Sequence, residues 1–258
     1  MALNPTNAEP DVVRPMTTTP RPPSPDAAAV QARAKRLAAR LAGLDGTALL
    51  EPLIRDEFPG GIALVSSFGT ESAVLLALAA EVDPALPVLF IDTGALFGET
   101  RRYRDQLVAR LGLSDVRTIG PDDAAVAAAD PDGPLFQRDA DACCELRKVL
   151  PLERALGGFA AWISGRKRYH GASRTDLPVI EADRGWIKIN PLVAWPRERL
   201  TLEFERRALP AHPLEAEGFL SIGCMPCSER VPPGGTLRAG RWAGQDKTEC
   251  GIHRRPTA

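Results

Sequence analysis

The chain has almost no net charge: 32 Lys and Arg stand against 33 Asp and Glu in 258 residues, a formal balance of -1. No global field favours a polyanion, so nucleic acid and acidic membrane surfaces are set aside as partners. It has no apolar run near the roughly 18 residues that span a bilayer. Its first residues lack a basic segment followed by an apolar core, so no secretory signal is read and a cytoplasmic location is expected. It has no internal repeat, and neither the phosphate-binding Walker pattern nor the dinucleotide glycine pattern. Cysteine is scarce and odd in number: Cys143, Cys144, Cys224, Cys227 and Cys250. Stable disulfides are rare in the cytosol, so clustered cysteines point to metal binding or catalysis.

What is there is ordinary globular composition, 44% hydrophobic and 25% charged. Residues 1–26 hold seven prolines and little that could form a core, and are expected to be a disordered leader. The spacing predicts helices over 27–43, with Gly43 as a stop, and over 46–58. It predicts a strand over 62–66, a turn over 67–71 and a helix over 72–82. Further strands are expected over 87–92, 115–120, 160–165 and 186–192, and helices over 98–111, 122–129, 140–156 and 197–208. Strands alternating with helices imply an α/β fold, a mostly parallel sheet flanked by helices. The expected organisation is an α/β domain over 27–228 followed by a C-terminal tail over 229–258.

In such a sheet, ligands bind beyond the carboxyl ends of the strands. "SSFGTES", residues 66–72, is a small polar turn between strand and helix whose backbone N–H groups suit an anion. "IDTG", residues 91–94, is a second such turn. Arg166, Lys167, Arg168 and Arg174 cluster after the 160–165 strand, on the same edge. Guanidinium groups there favour a phosphate or sulfate.

The cysteines fall into three sets. Cys143 and Cys144 are neighbours in an expected helix; Cys224 and Cys227 form a Cys-x-x-Cys loop. A redox dithiol usually opens a helix, and "GCMPCSERVPPGG" is a poor helix start. Two metal readings stay open for these four: structural zinc, and an iron–sulfur cluster, which tolerates more varied spacing. Cys250 is left over. Residues 230–258 carry six Lys and Arg against two acids, so its thiol is expected to ionise readily and to act as a nucleophile.

Taken together, "SSFGTES", "IDTG", "CCELRK", "AWISGRKR", "NPL", "SIGCMPC", "RAGRW" and "KTECGIH" resemble one family. It is the assimilatory sulfonucleotide reductases, in particular the iron–sulfur adenylyl-sulfate (APS) reductases. The resemblance runs in order from residue 66 to 253. It implies the adenine nucleotide α-hydrolase-like fold, with a mobile catalytic tail. It implies that Cys143, Cys144, Cys224 and Cys227 ligate a [4Fe-4S] cluster, and that Cys250 is the nucleophile. It makes Ser66, Ser67, Phe68, Gly69, Thr70, Glu71 and Ser72 a degenerate pyrophosphate loop, with Asp92, Thr93 and Gly94 beside it. Lys148 is implied to sit between cluster and substrate. Arg238, Arg241 and His253 are implied to hold the phosphosulfate, and Arg166, Arg168 and Arg174 the nucleotide. The sequence departs from the family at His170-Gly171, where many members have Gln-Ser, and in a shorter aromatic run after "GRW".

The implied activity is reduction of adenosine 5'-phosphosulfate to sulfite and AMP through a Cys250 S-sulfonate, with thioredoxin as reductant, in sulfate assimilation towards cysteine. A homo-oligomer is compatible with the sequence. Reduction of the 3'-phosphorylated nucleotide (PAPS), alone or beside APS, is an alternative. A zinc-stabilised nucleotide-binding protein without turnover is another. An ATP-dependent adenylating enzyme of this fold would carry Ser-Gly-Gly-x-Asp-Ser, and "SSFGTES" lacks the Asp.

Overall fold

The computed structural model describes residues 26–171 and 174–253. The expected leader lies outside the described residues, Asp26 excepted, and so do Arg254 and Arg255. Six strands form one sheet: β1 (Ile62–Ser66), β2 (Val88–Ile91), β3 (Val116–Ile119), β4 (Ala161–Ile163), β5 (Ile180–Asp183) and β6 (Trp186–Ile189). Their order is β3-β2-β1-β4-β6-β5. All neighbours pair parallel except β5 with β6. The central strands are short, continuous apolar runs because helices cover both faces. Ile62 and Leu64 of β1 face one core and Ala63 and Val65 the other, the period-two alternation of a strand.

On the first face lie α1 (Ala27–Arg40) and α2 (Gly46–Pro52), then α3 (Ser72–Val82) and α4 (Gly98–Leu111). Asp26 caps α1, its carboxylate accepting the Ala28 N–H at 3.0 Å. α3 is apolar nearly all round, and its buried run from Ala73 to Ala79 marks it as the central helix. Truncating a fully buried side chain such as Leu76 costs about 2–5 kcal/mol. α5 (Asp123–Ala129) and the one-turn α6 (Leu135–Arg138) follow β3. α7 (Ala140–Cys144) runs through a wide π turn, Glu145–Val149, into α8 (Leu150–Ala155). Pro151 has no N–H to offer the Arg147 carbonyl, which explains why regular α pairing breaks there. α8 lays Leu152 and Ala155 on the second face. α9 (Arg197–Arg206) packs back towards α3. Among the described residues no helix is long and apolar enough to cross a membrane.

The chain leaves β1 towards β2 on one side, while β4 lies on the other. β1 and β4 therefore flank a topological switch point, and the crevice beyond their carboxyl ends is where such sheets bind ligands. From Gly218 onward regular structure is sparse, yet the chain is packed: Trp242, Lys247 and Glu249 are all buried.

Candidate active site

A cavity of about 210 Å³ opens at that crevice. Its floor is the turn after β1. Phe68 adopts a left-handed conformation (φ 47°) and donates its N–H to Ser66 Oγ at 3.1 Å. Ser66, Ser67, Gly69, Thr70, Glu71 and Ser72 line the cavity. The Phe68 ring does not: it is fully buried, edge-on to Phe90 at 5.4 Å.

The turn after β2 splits its residues. Thr93 lines the cavity, its hydroxyl 3.2 Å from Cys224 Sγ. Asp92 points away, forked onto Arg101 at 2.8 and 3.0 Å. Burial works to raise its pKa, but the bonds from Arg101 and the Gly94 N–H hold it below the usual carboxylate range. Gly94 borders a second cavity.

The basic stretch after β4 supplies the opposite wall with Arg166, Lys167, His170 and Arg174. Each of its cations is already matched. Arg166 pairs with Glu181, Lys167 with Glu71 at 2.8 Å, and Arg174 forks onto Glu249 at 2.6 and 2.8 Å. Arg168 instead binds the Leu177 carbonyl and stays out of the cavity. Glu71, despite its burial, is held strongly ionised by Lys167 and His170.

Residues 238–253 close the roof. Arg241 donates to the Cys227 carbonyl at 3.1 Å and lies over the Trp242 ring at 4.5 Å. It crosses directly over Gly223, where any side chain would collide with its guanidinium. Arg238 reaches the Thr248 carbonyl at 3.3 Å. Gly251 lies close against Cys144 and Val149: an added Cβ would meet both at 3.1 Å. Arg184, at the β5–β6 turn with φ 51°, donates to the Ile252 carbonyl at 3.0 Å. His253 stacks parallel on Trp162 at 6.0 Å. Burial, then Lys188, Arg166, Arg174 and Arg238, keep His253 neutral, and its buried Nδ1 has no partner among the described residues.

The second cavity, about 220 Å³, adjoins the first. Cys143, Cys144, Cys224 and Cys227 all line it. α7 delivers the first two; the loop beyond Gly223 delivers the others, anchored by Met225 N–H on the Ala95 carbonyl at 2.8 Å. All five thiols are free. Lys148 and Cys224 border both cavities. Lys148 is buried, with Nζ 3.8 Å from Cys144 Sγ. Burial opposes its charge, but the sulfurs of Cys250, Cys224 and Cys144 outweigh that and raise its pKa. Cys250 lines the first cavity. The neighbouring Cys144 thiol, then the Lys148 and Arg241 charges, pull its pKa well down against burial.

Among the described residues no group of three His, Cys, Asp or Glu donors closes on a single ion. Tetrahedral zinc needs thiolates about 3.8 Å apart, from Zn–S bonds of about 2.3 Å. The four free thiols of the second cavity are the soft donor set that zinc and iron–sulfur centres both use.

Sequence reasoning did not assign Lys167, His170, Glu249 or Trp242 to the site, although all four line it. Lys167 sits in the basic cluster and His170 marks the departure from the family pattern, so both carried a signal. Glu249 counted only as one of the tail's acids.

A sequence family described as the phosphoadenosine phosphosulfate reductase domain matches residues 61–230. The adenosine 5'-phosphosulfate reductase of Mesorhizobium japonicum is 49% identical over 224 residues, 84% of this chain and 88% of the relative. The phosphoadenosine 5'-phosphosulfate reductase of Gloeobacter violaceus is 38% identical over 228 residues, 86% of this chain and 94% of the relative. Among solved structures, the phosphoadenylyl-sulfate reductase of Candida auris in its phosphate complex superposes with a TM-score of 0.63 at 26% identity. That match covers 76% of this chain and 95% of the other. The sheet and flanking helices are those of the adenine nucleotide α-hydrolase-like fold.

Proposed function

The chain belongs to the adenosine and phosphoadenosine 5'-phosphosulfate reductase family, and from that premise we propose that it reduces adenosine 5'-phosphosulfate to sulfite and AMP. The observation that carries the reading is the separation of the thiols. Cys143, Cys144, Cys224 and Cys227 all line one cavity, whereas Cys250 lines only the other, beside Lys148 and among arginines, with Cys224 at the wall between the two. The Cys250 thiolate attacks the sulfur of the phosphosulfate, the bond from sulfur to the bridging oxygen breaks, and AMP leaves with that electron pair. Cys250 is left as an S-sulfonate. A thiolate of an external dithiol then attacks Cys250 Sγ and sulfite departs. The second thiol of the dithiol resolves the mixed disulfide, so the dithiol is oxidised and Cys250 returns reduced. With Cys143, Cys144, Cys224 and Cys227 taken up by the cluster, Cys250 has no cysteine partner left to resolve it, which supports an external reductant, proposed to be thioredoxin.

Thiolate and substrate are both anionic, so fixed cations must offset their repulsion. Lys148, Arg238 and Arg241 are suited to this, and neutral His253 can offer a hydrogen bond to an oxyanion. Cys143, Cys144, Cys224 and Cys227 would hold the [4Fe-4S] cluster, which when bound supplies structural order and local charge. The turn over 66–72 and the helix α3 behind it suit the nucleotide phosphate. Each basic-loop cation in the cavity is matched by a glutamate, so a further 3'-phosphate finds its positive field already spent. That favours APS over PAPS. Anaerobic turnover with thioredoxin, comparing the two nucleotides and assaying sulfite, tests both points. Faster sulfite release from APS than from PAPS is expected; no sulfite from APS contradicts the reaction, and equal or faster turnover of PAPS contradicts the preference. The reaction belongs to sulfate assimilation towards cysteine in the cytoplasm, on this reading.

A further inference from the structure

A carboxylate beside a reacting thiolate and an anionic substrate repels both. Glu249 stands in that place: it precedes Cys250, is buried, and lines the same cavity. Both its oxygens are engaged. Arg174 donates Nε and Nη2 to them at 2.6 and 2.8 Å, and Glu249 Oε1 also accepts the Cys250 N–H at 2.8 Å. Arg174 further contacts His170 Nδ1 at 3.0 Å, and His170 Nε2 lies 2.9 Å from Glu71 at the head of α3. A chain of polar contacts thus links the turn after β1 to the backbone of Cys250.

We propose that Glu249 is a positioning residue: forked onto Arg174 and capping the Cys250 N–H, it latches the tail shut and sets the thiol towards the cavity. The proposal rests on the reading of Cys250 as nucleophile. A bidentate carboxylate–guanidinium pair fixes orientation as well as distance. Other links flank Cys250: Lys247 to Asp141, Arg238 to the Thr248 carbonyl and, at 3.7 Å, to Glu249, and Arg184 to the Ile252 carbonyl. They hold the segment, but none of them bonds Cys250 itself. The Glu249 carboxylate weakens the positive field that an incoming anion meets, so its role is not to bind substrate.

Two readouts separate a latch from a simple charge effect. The first is alkylation of Cys250 by iodoacetamide, followed by peptide mapping on the anaerobically purified protein. Losing a carboxylate alone makes the thiol more acidic and speeds alkylation; losing a guanidinium alone slows it. A latch makes both Glu249→Gln and Arg174→Ala faster, by about tenfold or more for loss of a charge-assisted bond. The double variant should be no faster than the faster single. The second readout is single-turnover S-sulfonate formation. Glu249→Gln should lower the rate while leaving the KM for the nucleotide unchanged or lower, and Glu249→Asp should recover part of the rate. Opposite shifts of the two single variants in alkylation, or no shift in either, would overturn the latch. If the wild type forms no S-sulfonate with the nucleotide, the reaction reading fails, and alkylation still decides the latch. Glu249→Gln keeps the side chain's shape, and circular dichroism confirms its fold.

Discussion

Replacing Lys148 by Met tests whether one buried ammonium carries the electrostatics of the first step. Met keeps the length and apolar stem and removes only the charge. Lys148 Nζ lies 3.8 Å from Cys144 Sγ, and Lys148 lines the same cavity as Cys250. The anionic phosphosulfate that must approach Cys250 in that cavity then comes to roughly 4–8 Å from the ammonium, close enough for direct attraction. At an effective dielectric of about 20, such a pair attracts by about 2–4 kcal/mol. Each 1.36 kcal/mol is tenfold in rate, so S-sulfonate formation should slow by roughly 30- to 1,000-fold. The assay is an anaerobic rapid quench with APS, quantifying modified Cys250 by mass spectrometry. Iron content and visible absorbance are followed in parallel, because Lys148 borders both cavities. Lys148→Arg should recover part of the rate. A Lys148→Met rate within about threefold of wild type, with iron unchanged, would refute the electrostatic account.

Two further variants probe other parts of the structure. Cys224→Ala removes one of four thiols from the second cavity, and the purified protein should lose iron and its visible absorbance. Retained iron, or zinc in the wild type, would contradict the cluster assignment. His212 is buried and hydrogen-bonded to Thr100 and the Leu214 N–H, and burial pushes its pKa down from 6.5 to about 4. The unfolded chain then binds the extra proton first, so the stability this neutral ring contributes is present above about pH 6.5 and lost down to pH 4. The span amounts to about 3 kcal/mol. Chemical denaturation across that window should show a steeper fall in wild type than in His212→Gln, and parallel curves would contradict it.

Much of the fold was legible. β1, α3 and α4 start and end where apolar runs and turn residues say they should, because buried parallel strands read as short continuous hydrophobic stretches. β5 was not: "IEAD" has no strand periodicity, and it forms only by pairing with β6. The π turn over Glu145–Val149 was hidden too, since its composition suits any helix. In the site, residue type and chain order identified the two cysteine pairs and the odd thiol. Side-chain direction was beyond reach. Phe68, Asp92 and Arg168 share their turns with cavity-lining neighbours, yet each points elsewhere into core, Arg101 or a carbonyl. The pairings Lys167–Glu71 and Arg174–Glu249 join residues far apart in sequence, so only the folded chain reveals that these cations are matched.

The central claim is that Cys250, and none of the other four cysteines, carries the sulfonate. The direct measurement is the mass of the anaerobically purified protein after mixing with APS and no reductant, with peptide mapping of the adduct. The account predicts one added sulfonate, on Cys250, that thioredoxin discharges as sulfite and that Cys250→Ser never forms. No adduct, or an adduct on Cys143, Cys144, Cys224 or Cys227, would contradict it.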